Sequence, residues 1–120
     1  MNDIRIIDTH CHLDFNELKT RLDEVIKDAK INNVTDMVTI STNLSRIDFI
    51  KDISEQYQEV FFTVGVHPNE AHKDRQYIDH HFMENYSKHE KCVGIGEGGL
   101  DYYYNKENMK LQKRSLEIQI

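Results

Sequence analysis

Four short apolar segments, each leading into a stretch of helical periodicity, predict an α/β fold: a parallel sheet with helical crossovers. Parallel neighbours require such crossovers, because the chain must be carried back to the starting edge before it can run the same way again. No linker or low-complexity tract divides the 120 residues, so they form one domain. The third observation concerns chemistry. Three of the predicted strand ends carry histidine or glutamate, namely His10 with His12, His67, and Glu97. In a parallel sheet these ends share one rim, so residues far apart in sequence can meet there.

The first apolar segment, residues 4–7, precedes a helix on which Leu18, Leu22, Val25, Ile26 and Ala29 fall at helical spacing. Asp14, three residues before Glu17, reads as a capping box, and Asn32 with Asn33 as the stop. The second strand is expected over 36–41, with Ser45 and Asp48 capping a helix that carries Ile47, Ile50, Ile53 and Tyr57. The third, 60–66, leads through HPNEAH into a helix over 77–86 whose Ile78, Phe82 and Tyr86 share a face. The fourth, 91–99, leads through DYYYN into a helix from about Glu107, with Met109, Leu116 and Ile120 aligned. The last segment stops on an apolar residue in mid-pattern, without Gly, Asn or Pro to end a helix, so half of a larger architecture is expected.

With 38% hydrophobic and 30% charged residues, the composition is that of a globular protein rather than a disordered one. No apolar run approaches the ~20 residues of a membrane helix, and the first ten residues lack the basic and apolar regions of a secretory signal. A cytoplasmic protein without membrane contact is expected. Two cysteines, Cys11 and Cys92, without CxxC spacing suit a reducing compartment and supply no zinc-finger framework. Fifteen Lys and Arg against 21 Asp and Glu give a net charge of −6, which excludes a broad basic surface for nucleic acid. An anionic substrate would need local help, and a bound divalent cation is one way to give it.

In an extended strand side chains alternate, so His10 and His12 point to one face with Asp8, and Cys11 to the other, toward the core. Two imidazoles on one face can converge on a cation, or they can be a hydrogen-bonded structural pair. Asp8 would orient a ligating imidazole or anchor the loop. Glu97 in GIGEGG is the third candidate ligand, its glycines leaving space beside the carboxylate, with a surface salt bridge as the plain alternative. His67 either contacts substrate or opens a helix with Pro68 at its first turn. His72, His80, His81 and His89 are expected to be solvated, and Tyr102, Tyr103 and Tyr104 to pack at the rim, with stacking of a base or sugar as the alternative.

Taken together, DTHCHLDF, GVHPNE and VGIGEGGLDYYY resemble, in order and spacing, the signature segments of the TatD-like deoxyribonucleases, from residue 7 to the end of the chain. That family consists of metal-dependent hydrolases on an eight-stranded barrel. The resemblance implies that residues 1–120 are the first half of a TIM-type (β/α)8 barrel. It implies a two-metal site in which His10 and His12 bind the first divalent cation and Glu97, the catalytic carboxylate, bridges to the second; Mg, Mn and Zn are not distinguished. His67 would bind substrate near the scissile phosphate of DNA. The remaining ligands, two histidines and an aspartate on later strands, would fall beyond residue 120. An open half-barrel exposes edge strands and an apolar inner face, so a complementary C-terminal half or a second copy is the expected partner. The alternatives are a noncatalytic half-barrel that binds metal weakly or serves in assembly, and another HxH barrel hydrolase acting on a phosphomonoester or an amide.

Overall fold

The computed structural model describes residues 4–104 and 106–120. Strands β1 (Ile6–Cys11), β2 (Val34–Thr39), β3 (Val60–Val64) and β4 (Cys92–Ile95) form one parallel sheet in the order β1-β2-β3-β4. Helices α1 (Asn16–Lys19) and α2 (Leu22–Ile31) join β1 to β2, α3 (Ile47–Gln56) joins β2 to β3, and α4 (His80–Ser87) joins β3 to β4. After β4 comes α5 (Met109–Gln119). Strand order therefore equals chain order, and the sheet is open at β1 and β4, as expected of half a barrel. Among the described residues no helix is long and apolar enough to cross a membrane.

The core is built from the centre of the sheet outward. β3 is VFFTV, β-branched and aromatic, and its Val60, Phe62 and Val64 are fully buried. Ile47 and Ile50 of α3 meet Phe62 and Val64 together with Leu44, Val66, Ala71, Ile78 and Met83. A second cluster under β1 and β2 joins Leu13, Ile26, Met37, Ile53 and Val60. The edges are different: β1 is exposed along nearly all its length, and Val93 and Ile95 of β4 are open as well.

Several helix boundaries differ from the expected ones, some because a polar side chain has a tertiary partner and others because a local contact or backbone turn sets the end. Asp14 forms no capping box; Phe15 occupies the N-cap of α1, while Asp14 is buried and ion-paired with Arg46 Nε at 3.3 Å. The single expected helix is two, since Arg21 leaves helical geometry (φ −140°, ψ 35°) between α1 and α2. Ser45 and Asp48 do not cap α3: Ser45 Oγ donates to Asn43 Oδ1 at 2.7 Å, and Asp48 accepts from the Tyr86 hydroxyl at 2.7 Å. A 3₁₀ turn over Leu44–Arg46 leads into α3 instead, its first N–H held by the buried Asp74 carboxylate. The α4 helix starts only at His80, because Asp79 at its N-cap accepts from Phe82 N at 3.0 Å. On α5 the buried face is Gln112 and Ser115, whereas Met109 and Ile120 are exposed. The Asn32–Asn33 stop is present, with Asn33 in the left-handed region at φ 64°.

Candidate metal centre

β1 delivers its histidines through a bulge. Asp8 pairs with Met37 and Cys11 with Thr39, so three steps on β1 face two on β2. An extra residue of this kind re-aims the side chains around it. Asp8 Oδ1 accepts the His10 N–H at 3.0 Å, so of its two expected roles the carboxylate takes that of backbone anchor, here for the bulge. Cys11 turns inward against the second cluster, its thiol pushed up to about 12 by burial and then by the charges of Asp8 and Asp14. The His10 and His12 rings stand edge to face, centroids 5.1 Å apart. His12 Nδ1 lies 3.1 Å from the Ile40 carbonyl. A carbonyl only accepts, which assigns the proton to Nδ1 and leaves the Nε2 lone pair free. Phe15 stacks flat on the His12 ring at 4.5 Å and fixes its plane.

Glu97 reaches the histidines from the opposite edge of the sheet. The ladder stops at Ile95, and hydroxyls take over where it ends. Ser41 N donates to Thr63 Oγ1 at 3.2 Å, and Thr63 Oγ1 donates to the Gly96 carbonyl at 2.7 Å. Ser41 Oγ donates to the Gly65 carbonyl at 2.8 Å, and Glu97 N donates to the Ser41 carbonyl at 2.9 Å. The segment after β4 is thereby drawn across β3 onto the end of β2. Gly65 permits this approach, because a Cβ there would lie 2.4 Å from the Gly96 carbonyl carbon. Next along, Gly98 makes room for the Gln119 amide, which would be 2.9 Å from a Cβ at that position. That amide accepts from Val66 N at 3.0 Å and donates to Val66 O at 3.3 Å, docking α5 on the rim. Ser41, Thr63 and Gln119 carry no motif in the sequence; a hydroxyl at the C-terminal end of an apolar strand is the one signal Ser41 and Thr63 give, and Gln119 gives none.

The result is a carboxylate facing three imidazoles. Glu97 Oε2 lies 3.5 Å from His10 Nε2 and 3.9 Å from His12 Nε2, and one ligand atom from each of these residues falls within 4.8 Å of the others. Two imidazoles and one carboxylate suit a divalent cation such as Zn or Mn and leave coordination positions for water and substrate. Glu97 Oε1 faces His67 Nε2 at 3.7 Å. The His67 backbone N–H donates to the Thr42 carbonyl at 2.8 Å. His67 does open a 3₁₀ turn, Pro68–Glu70, and its Nδ1 accepts from Asn69 N at 3.1 Å. Nδ1 is thus unprotonated and the neutral ring carries its proton on Nε2, the reverse of His12.

Other expected residues lie elsewhere. His72, His80 and His81 are exposed. His89 is not solvated as expected: Nε2 lies 3.0 Å from Glu55 Oε1, and Nδ1 accepts from Lys91 N at 3.0 Å. The tyrosines after β4 also differ from expectation. Tyr102 is half-buried, but Tyr103 and Tyr104 are 82% and 77% exposed and pack against no core.

Comparison with known proteins agrees with this construction. The family described as TatD related DNase matches residues 7–120. An uncharacterized metal-dependent hydrolase of Buchnera aphidicola (subsp. Baizongia pistaciae) is 34% identical over 90% of this chain and 41% of its own. The uncharacterized metal-dependent hydrolase YabD of Bacillus subtilis is 35% identical over 96% of this chain and 45% of its own. The crystal structure of YjjV, a TatD homolog from Escherichia coli K12, superposes with a TM-score of 0.86 over 98% of this chain and 46% of that one, at 24% identity. The chain thus spans less than half the length of these proteins. A four-stranded parallel sheet with the fold of half a TatD barrel, matched along nearly its whole length, makes the chain a member of the TatD-related DNase family.

Proposed function

We propose that the chain is the N-terminal half of a divalent-metal-dependent hydrolase that cleaves DNA phosphodiester bonds in the cytoplasm. The observation that carries the reading is one carboxylate with its two oxygens turned to different imidazoles, Oε2 to His10 and His12 and Oε1 to His67. Divalent cations, when bound, supply Lewis acidity to phosphoryl oxygens and lower the pKa of water. His10, His12 and the Glu97 carboxylate would hold the first ion, the His12 ring already turned with its Nε2 away from the Ile40 carbonyl. Glu97 Oε1 is the donor this chain offers a second ion. His67 has a different task, because an Nε2 that keeps its proton is a donor for a non-bridging phosphoryl oxygen and holds the phosphate against the carboxylate. The relatives' designation as metal-dependent hydrolases supports the hydrolytic chemistry, and the family's description supports DNA as the substrate.

The proposed partner is a complementary C-terminal half rather than a second copy. The free edges of β1 and β4, with Ile7, Val93 and Ile95 exposed, are the surfaces it would cover, and the relatives carry that additional length on one chain. The test is bound metal per chain together with cleavage of a 3′-labelled oligonucleotide, alone and with the C-terminal half of YabD. Cleavage is expected with the added half and to vanish in EDTA. His10→Ala and Glu97→Ala should lose both metal and cleavage, and His67→Ala only cleavage. Unchanged metal content in His10→Ala and Glu97→Ala would overturn the site.

A further inference from the structure

Building on the nucleic-acid reading above, we propose that Tyr103, Tyr104 and the outward face of α5 form a strip that binds single-stranded DNA beside the metal centre. The two rings stand perpendicular with centroids 4.7 Å apart, and both lie in solvent. Exposure of two adjacent aromatic rings is uncommon unless something stacks on them. Looseness of the loop is not the cause. Asp101 N donates to Gln112 Oε1 at 2.8 Å, and Gln112 Nε2 donates to the Asp101 carbonyl at 2.9 Å, from a side chain that is fully buried. The Asp101 carboxylate accepts from Tyr103 N and from Asn69 Nδ2, each at 3.0 Å. Asn69 is the residue whose N–H holds His67, so one hydrogen-bonded chain runs from the rings to the rim of the metal centre.

Charge supplies the second, independent observation. The protein is acidic, yet the segment 106–114 that follows the tyrosines holds Lys106, Lys110, Lys113 and Arg114 against one carboxylate, Glu107. All four cations are exposed. At ~100° per residue, Lys110, Lys113 and Arg114 fall within one arc of α5 opposite the buried Gln112 and Ser115, and the exposed Glu117 is the one carboxylate of α5 in that arc, so cations outnumber it three to one. This face lies on the side of α5 opposite the residues that pack on the rest of the fold. Rings followed by a line of cations match one ligand chemistry, a polyanion that displays flat aromatic faces. Bases stack on tyrosine while phosphates pair with lysine and arginine. A duplex hides its base faces, so the strand must be single.

The test uses the 120-residue protein in EDTA, with fluorescence anisotropy of labelled dT12 and of an abasic 12-mer with the same number of phosphates. Wild type should bind dT12 about tenfold more tightly than the abasic strand, a ratio in the range that base–aromatic stacking gives. Tyr103→Ala/Tyr104→Ala should bring dT12 down to the abasic level, and Tyr103→Phe/Tyr104→Phe should keep the preference. Lys110→Gln/Arg114→Gln should weaken both probes equally and reduce the salt slope by about 1.4, since each lost contact removes ~0.7 for single strands. Because the substituted side chains are exposed, circular-dichroism melts should be unchanged. Equal affinity of wild type for the two strands, equal affinity for duplex, or a preference that survives loss of both rings would overturn the strip. Cleavage without base preference would remove the strip and leave the hydrolase; base preference without cleavage in any metal would do the reverse.

Discussion

The centre of the sheet and its edges are held by different forces. Strands β2 and β3 are secured by burial, with Phe62, Val60 and Val64 out of contact with water and α3 packed across them. Strands β1 and β4 have little burial, yet His10 and His12 lie at the end of one and Glu97 just past the end of the other. What positions the site is therefore not the core directly but the polar stitching at the rim: the Asp8 contact in the bulge, the Ile40 carbonyl on His12, and the Ser41–Thr63–Gly96 hydroxyl bridge. The core makes the centre rigid, and hydrogen bonds extend that rigidity to the ligands.

The comparison can be broken most directly at its centre. Phe62→Ala should cost about 3–5 kcal/mol and unfold the chain early in urea, as expected for an emptied ring site in a packed core. Metal should then act at the edges: a divalent ion at a hundredfold excess over its Kd should raise stability by about 2.7 kcal/mol, and Glu97→Ala should remove that increment in the same melt. Thr63→Val tests the stitching itself. Its methyl preserves packing while the Gly96 carbonyl and Ser41 N–H lose their partner, so about 1–2 kcal/mol of stability and about tenfold in metal affinity should go, read by urea melt and metal titration. The smallest effect belongs to the edge. Val93→Ala, at a residue 56% exposed, should stay within about 0.5 kcal/mol of wild type. A larger loss there would mean the edge is already covered in solution.

The apolar pattern of the sequence contains the fold, and the site follows from strand ends. VFFTV reads as a strand because nearly every residue in it is β-branched or aromatic, and the shared rim follows from parallel topology alone. What stayed hidden were polar residues with long-range partners. Asp14 looks like a cap until Arg46 arrives from 32 positions away. Gln112 and Gln119 look like the wet side of a helix, but they face inward, because each amide satisfies the backbone N–H and carbonyl of one residue beyond the strands, Asp101 and Val66. Periodicity treats such residues as surface, since a polar side chain is read as exposed unless its partner is known. The same blindness affects the tyrosines, whose aromatic character reads as core although Tyr103 and Tyr104 are largely exposed. The bulge at His10 is invisible for another reason: it depends on register against β2, which alternation within β1 does not encode.

The asymmetric mounting of the ligands bears on how the N-terminus behaves. Both His10 and His12 ride on β1, whereas Glu97 hangs by its N–H from the end of β2 and His67 by its own from Thr42. Peeling the first strand away would withdraw two donors in one motion and leave the acid and His67 together. An ion in the site would act as a rivet for the leading strand, coupling its fraying to metal release, with amide exchange slowing first at residues 6–11 as the ion is taken up.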